Sequence, residues 1–302
     1  MKTMIWCGLL SFGCLAAFAQ PSAPAVTAGM PVVTQVTSQS SPAINLEEQG
    51  FLSVRAIRGK GWAVEKYKAT DGLWHARLMA KNALVEDFAN AGQYEDWIRL
   101  GLWPLDAETP RLLFVLRYGG GADGPDYLDI IRLDESYRNV FRSGDGINLI
   151  QISNLDEAGF PEIVFATRHY RYDLLGLNGA DAPRPRFVMA FDDQARQFVT
   201  ANHRFESVLR PEANRLRQAF ESHPKYKVPF TFETGQIDRL EPLGFLTGYL
   251  VQSCYLGEPD KAWAYLDAFA DTATAARIRT ALNAKLAADP VYQDILKRAP
   301  LP

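Results

Sequence analysis

The chain has 302 residues, 47% of them hydrophobic and 22% charged, an ordinary globular balance. Its formal net charge of -3 leaves no basic excess for a polyanion, which argues against nucleic acid as a partner. Its cysteines are Cys7, Cys14 and Cys254, too few for a disulfide framework.

Residues 1–19 have the pattern of a signal peptide. Lys2 gives the positive start, Met4 to Leu15 is an apolar run, and Ala17-Phe18-Ala19 places small residues where signal peptidase reads. Cleavage near Ala19 makes Gln20 the new amino end of a periplasmic or secreted protein. A lipid anchor at Cys14 is the alternative, but Ser11 and Phe12 stand where a leucine and a small residue are wanted. No later run approaches the roughly 20 apolar residues of a membrane helix, so no integral membrane segment is expected in the mature chain. Cleavage also removes Cys7 and Cys14, which leaves Cys254 as a buried thiol and the core as the only source of stability.

Residues 20–45, rich in Pro, Ser, Thr, Ala and Val, read as a flexible leader. A β-rich domain follows over 46–205. Phe51 to Ile57, Trp62 to Tyr67 and Leu73 to Met79 alternate partially and are divided by Gly59, Gly61 and Asp71-Gly72, a strand and hairpin signature. Leu84 to Leu100 fits a short helix or a long connection.

Further on, a unit recurs. Tyr127 to Leu133, Leu149 to Leu155 and Phe187 to Phe191 are apolar strands. Each enters an acidic turn and returns through Val140-Phe141, Val164-Phe165 or Phe198-Val199. Such self-similarity predicts hairpins in a meander, either partial propeller-like or in an open or two-layer sheet.

After Phe205 the apolar period becomes helical. Helices are expected over Arg210–Ser222, Leu243–Leu256 (closed by Gly257), from Pro259 through Phe269, Thr272–Ala288 and Val291–Lys297. Strands followed by a helical segment over 206–302 give an α+β fold.

Within the second repeat, Asn154-Leu-Asp156-Glu157-Ala158-Gly159-Phe160-Pro161-Glu162 alternates oxygen-bearing side chains before a glycine and a strand. It resembles a calcium-loop repeat of the FG-GAP or VCBS type. Leu243-Gly-Phe-Leu-Thr-Gly-Tyr-Leu-Val251, with Leu256-Gly257 and Ala262-Trp263, resembles the helical tail of exported bacterial proteins that carry one such loop. The resemblance covers about a fifth of the mature chain. It implies a periplasmic β-rich body with helices after it, and Ca2+ ligands at Asn154, Asp156 and Glu162; Ala158 departs from the pattern. The reading without metal is a β-turn in which Asn154 and Asp156 bond their own backbone and Gly159 supplies the unusual dihedral.

Other chemistry is sparse. No HExxH zinc motif or G-x-S-x-G nucleophile turn occurs, and Gly119 to Gly124 lacks the Lys-Ser or Lys-Thr of a phosphate loop. Arg168-His169-Tyr170-Arg171-Tyr172 is an aromatic and basic strand end. Arg168, His169, Tyr170 and Tyr172 are candidates for contact with a protein or a cell-envelope polymer; the alternative is an ordinary sheet edge. The expectation is therefore a non-enzymatic exported binding protein that uses its β-domain loops, with no cofactor or Ca2+ alone. Two alternatives stand beside it. One is an envelope glycan or peptide hydrolase using acids such as Asp126, Asp129 or Glu162. The other is an inhibitor of a wall-degrading enzyme.

Overall fold

The structure, a computed structural model, describes residues 51–298 except 53–54, 90–93, 105–109, 120–125, 135, 145, 158, 172–173, 178 and 224–239. The expected signal, leader and glycine-rich segment lie outside the described residues, apart from Gly119. Three antiparallel sheets come first and helices follow, the α+β layout read from the sequence.

The first sheet is a four-stranded meander: β2 (Ala56–Gly59), β3 (Trp62–Lys68), β4 (Trp74–Ala80) and β5 (Ala83–Ala89), paired in that order. Its turns use residues with positive φ: Gly61, Gly72, and the pair Lys81 (48°) and Asn82 (65°). Two successive left-handed residues between β4 and β5 make the tight hairpin whose twist matches the strands.

Leu84 to Leu100 is therefore not a helix or a long connection. It holds β5, a 3-10 turn at Glu95–Trp97, and the start of β6. The alternation is hidden because β5 is an edge strand. Leu84 and Val85 are exposed, Phe88 alone is fully buried, and the pairing shifts by one residue opposite Leu78 and Met79.

The second sheet, in the order β1-β6-β7-β8-β9, contains β1 (Phe51–Leu52), β6 (Ile98–Pro104), β7 (Pro110–Tyr118), β8 (Asp126–Arg132) and β9 (Asn139–Arg142). Its central strand shows why the sheets stack. Leu113 and Val115 pack toward Ile57, Val64, Ala76, Leu78 and Phe88 of the first sheet. Leu112, Phe114 and Leu116 pack toward the third sheet. A strand buried on both faces must be apolar throughout, and Leu-Leu-Phe-Val-Leu at 112–116 is.

The third sheet is the meander β10 (Ile147–Ser153), β11 (Glu162–Thr167), β12 (Arg186–Asp192) and β13 (Gln197–Thr200). Every residue of β11 is buried. Ile163 and Phe165 face the second sheet, whereas Val164 packs with Leu209 and Ala213 of α1 (Glu206–Ser222), which covers the sheet's far side.

The remaining helices are α2 (Leu240–Tyr255), α3 (Pro259–Phe269), α4 (Thr272–Ala288) and α5 (Pro290–Arg298). α3 and α4 keep their expected bounds, whereas α2 begins at Leu240 and ends at Tyr255 and α5 is extended to Pro290 and Arg298; Gly257 turns the chain at φ 77°, Pro259 opens α3, and the Asp271 carboxylate caps α4 by accepting from the Ala273 and Thr274 N–H groups. Two glycines of the tail motif let α2 approach closely. A Cβ at Gly244 would collide with the Asp181 carbonyl, and one at Gly248 would press on Leu216 of α1 at 3.2 Å.

Polar contacts weld these helices to the third sheet. The Gln252 amide pairs with both the N–H and the carbonyl of Arg186 on β12, and Thr200 Oγ1 donates to Asp294 at 2.8 Å. The Asn202 side chain joins the Val188 N–H to the Tyr255 carbonyl. Cys254 is buried here, and burial pushes its thiol up to about 12.

Candidate functional site

Among the described residues, five of the six sheet faces enter one of these packed layers. The sixth, the outer face of β2–β5, carries a polar and aromatic array placed by the strand register. Glu65 lies opposite Arg77 and Arg77 opposite Asp87, while Tyr67 lies opposite His75. At the hairpin end Ala63, Met79 and Leu84 share the same side, with Leu84 59% exposed.

The array is internally ordered. The Tyr67 hydroxyl donates to Asp87 Oδ2 at 2.7 Å, which raises its pKa. Arg77 donates Nε to Glu65 Oε1 at 2.7 Å, and its guanidinium carbon lies 4.9 Å from the Tyr67 ring centroid. Both contacts hold long side chains flat against the sheet. The His75 ring is 5.5 Å from that of Tyr67, with nitrogens 3.4 Å from Asp71 Oδ2 and 3.5 Å from Asp87 Oδ1. Asp71 in turn caps the β3–β4 turn through the Leu73 N–H, which lowers its pKa.

The acidic turn is built otherwise. Glu157 (φ 61°) and Gly159 (φ 90°) give it left-handed corners, and Trp103 Nε1 donates to the Gly159 carbonyl at 2.9 Å. Phe160 stacks on Phe191 with centroids 4.0 Å apart. Glu162 is 2% exposed and accepts from the Leu155 N–H at 2.6 Å; burial raises its pKa. Asp156 Oδ2 accepts from Arg204 Nη2 at 2.6 Å.

A calcium ion needs six to eight oxygens. One feature fits it: Asn154 Oδ1 is buried without a hydrogen-bonding partner. The rest does not. Among the described residues no three His, Cys, Asp or Glu side chains converge, and the Asp156 and Glu162 carboxylates already have protein donors. Ala158 lies outside the described residues. The turn departs from the reading without metal as well: Asn154 Oδ1 accepts no hydrogen bond from its backbone, Asp156 binds Arg204, and Glu162 is buried and ties the turn shut.

The strand-end candidates are divided. Tyr170 is fully buried, and its hydroxyl donates to Asp289 at 2.9 Å; Arg168 is 6% exposed. Neither is offered to a partner. His169 is half-buried, its Nε2 3.2 Å from the Lys285 carbonyl, and Tyr172 lies outside the described residues. The segment is an internal seam to α4 and α5 because Asp289 attracts Tyr170 inward.

The candidate acids do not share a cleft. Asp129 is fully buried between Arg117, Arg142 and Asn139, and Arg142 also reaches Glu86 of the first sheet. Asp126 accepts from the Leu149 N–H at 2.9 Å and from Asn148, binding the second sheet to the third. Glu162 closes its own turn. Each carboxylate is occupied as a structural acceptor.

The array on the first sheet was readable in part. In Trp62 to Lys68 and Trp74 to Ala80, polar side chains at Glu65, Tyr67, His75 and Arg77 fall at alternate positions, hence on one face. That no described element covers this face depends on the stacking order, which no local pattern encodes. Compared with protein families, curated proteins and solved structures, the chain matches none.

Proposed function

We propose that the chain is an exported binding protein that contacts a protein partner through the outer face of its first sheet. The observation that carries this reading is the ordered Tyr67–Asp87–His75–Arg77 array on the one sheet face that, among the described residues, lies outside the packed layers. Tyr and Arg are the side chains that most often dominate protein interfaces. Here both are held in place before any encounter, which lowers the entropy lost on binding. Met79, Leu84 and Val85 add apolar area beside the array. The export half of the proposal rests on Lys2, the run Met4 to Leu15 and Ala17-Phe18-Ala19.

Two experiments test the reading. Cell fractionation followed by amino-terminal sequencing is expected to recover a periplasmic or secreted chain that begins at Gln20. The mature chain, immobilised and exposed to envelope extract, is expected to retain a protein that binds again when purified. Retention of envelope polysaccharide alone would replace the protein partner with a polymer, and retention of nothing would end the binding proposal.

A further inference from the structure

We propose that Arg204 supplies the positive charge that the acidic turn 154–162 would otherwise take from a metal ion, making the turn a metal-independent clasp. Three observations lead there. The Arg204 guanidinium donates to Asp156 Oδ2 at 2.6 Å. Burial raises the pKa of Glu162, the acid that binds the backbone of the turn, and the positive charge of Arg204 acts against that rise. Its origin is also fixed: Arg204 lies in the 3-10 turn Asn202–Arg204, anchored by the hydrogen bonds of Asn202 to Val188 and Tyr255. The guanidinium is steadied further by the Phe205 ring, 5.1 Å from its carbon.

A buried carboxylate beside a second acid is costly unless a positive charge or hydrogen bonds compensate it. A cation recruited from solvent would do this at the price of an ion-dependent fold. A guanidinium that is part of the chain does so permanently, and it disfavours a divalent ion at the same oxygens. Because Arg204 is separated from α1 only by its N-cap Phe205, the clasp also joins the β10–β11 turn to the start of the helical region.

The test is thermal unfolding of the mature chain in calcium and in chelator, for wild type, Arg204→Gln, Asp156→Asn and the double variant. The wild-type midpoint is expected to be the same in both media. Arg204→Gln and Asp156→Asn are each expected to lower it by about 2–4 °C, and the double variant by no more than the larger single loss. A wild-type midpoint raised by calcium would overturn the proposal. So would an unchanged Arg204→Gln midpoint, or losses that add in the double variant.

Discussion

The hydroxyl of Tyr170 donates to Asp289 Oδ2 at 2.9 Å across 119 residues of sequence, and solvent reaches neither side chain. Asp289 also accepts from the Tyr255 hydroxyl, and its other oxygen accepts from the Val291 N–H at 2.9 Å, at the start of α5. Burial pushes both phenols well above their ordinary range, so they remain donors at any pH the fold survives. One carboxylate therefore joins the end of β11 to α2 and α5.

Asp289→Ala should be among the most damaging single changes. It strands two buried hydroxyls and removes a helix cap, together worth about 3–5 kcal/mol. The midpoint of thermal unfolding is expected to fall by roughly 10 °C. Tyr170→Phe, which removes one of the donors and keeps the ring, should cost about 1–2 kcal/mol in a denaturant titration.

Lys66 gives a test with the opposite sign. It is 3% exposed on the inner side of β3, and burial lowers its pKa from 10.5 to about 8. In that interval the unfolded chain holds a proton that the native state has released, so this group's contribution to stability rises with pH. Below about 8 the buried charge is a burden. Lys66→Met should raise the unfolding midpoint at neutral pH, and its advantage should shrink as pH climbs from about 8 to 10.5. Midpoints measured across that range for both proteins check this.

Asp126 titrates the other way. Burial raises its pKa above the ordinary 3.8 and outweighs the Leu149 and Asn148 hydrogen bonds and the nearby charge of Arg168. Between the ordinary and the raised value the native state keeps a proton that the unfolded chain has lost. The stability due to neutral Asp126 is full below the ordinary value and is lost as pH rises through the raised one. Asp126→Asn should lack that drop and exceed wild type in stability at neutral pH, as read from denaturation midpoints on a pH series.

Much of this architecture is visible in short stretches of sequence. The hairpins divided by Gly61 and Asp71-Gly72 and the helix boundary at Gly257 and Pro259 are legible locally, whereas Leu112 to Leu116, buried on both faces, has no alternation to mark it as a strand. Edges and partners are less legible. β5 hides its alternation because only Phe88 is fully buried, and its hairpin uses Lys81-Asn82 in place of a glycine turn. Tyr170 looks like a surface aromatic until Asp289, far along the chain, claims its hydroxyl. The acidic turn was recognisable as a turn, but Arg204, which neutralises Asp156, lies 48 residues away. Local periodicity fixes which way a side chain points, and only the tertiary fold decides what it meets.

Binding through the outer face of β2–β5 is the proposal from which the other functional expectations follow. It is tested most directly by Tyr67→Ala with Arg77→Gln, titrated against the protein captured from envelope extract. Both side chains are on the exposed face, where their hydrogen bonds and ion pairs contribute little to folding, so the unfolding midpoint should stay near that of wild type. Loss of two anchoring contacts, at least about 2 kcal/mol in all, predicts affinity weakened by roughly 30-fold or more. Undiminished affinity in a folded double variant would exclude this face and move the contact surface elsewhere.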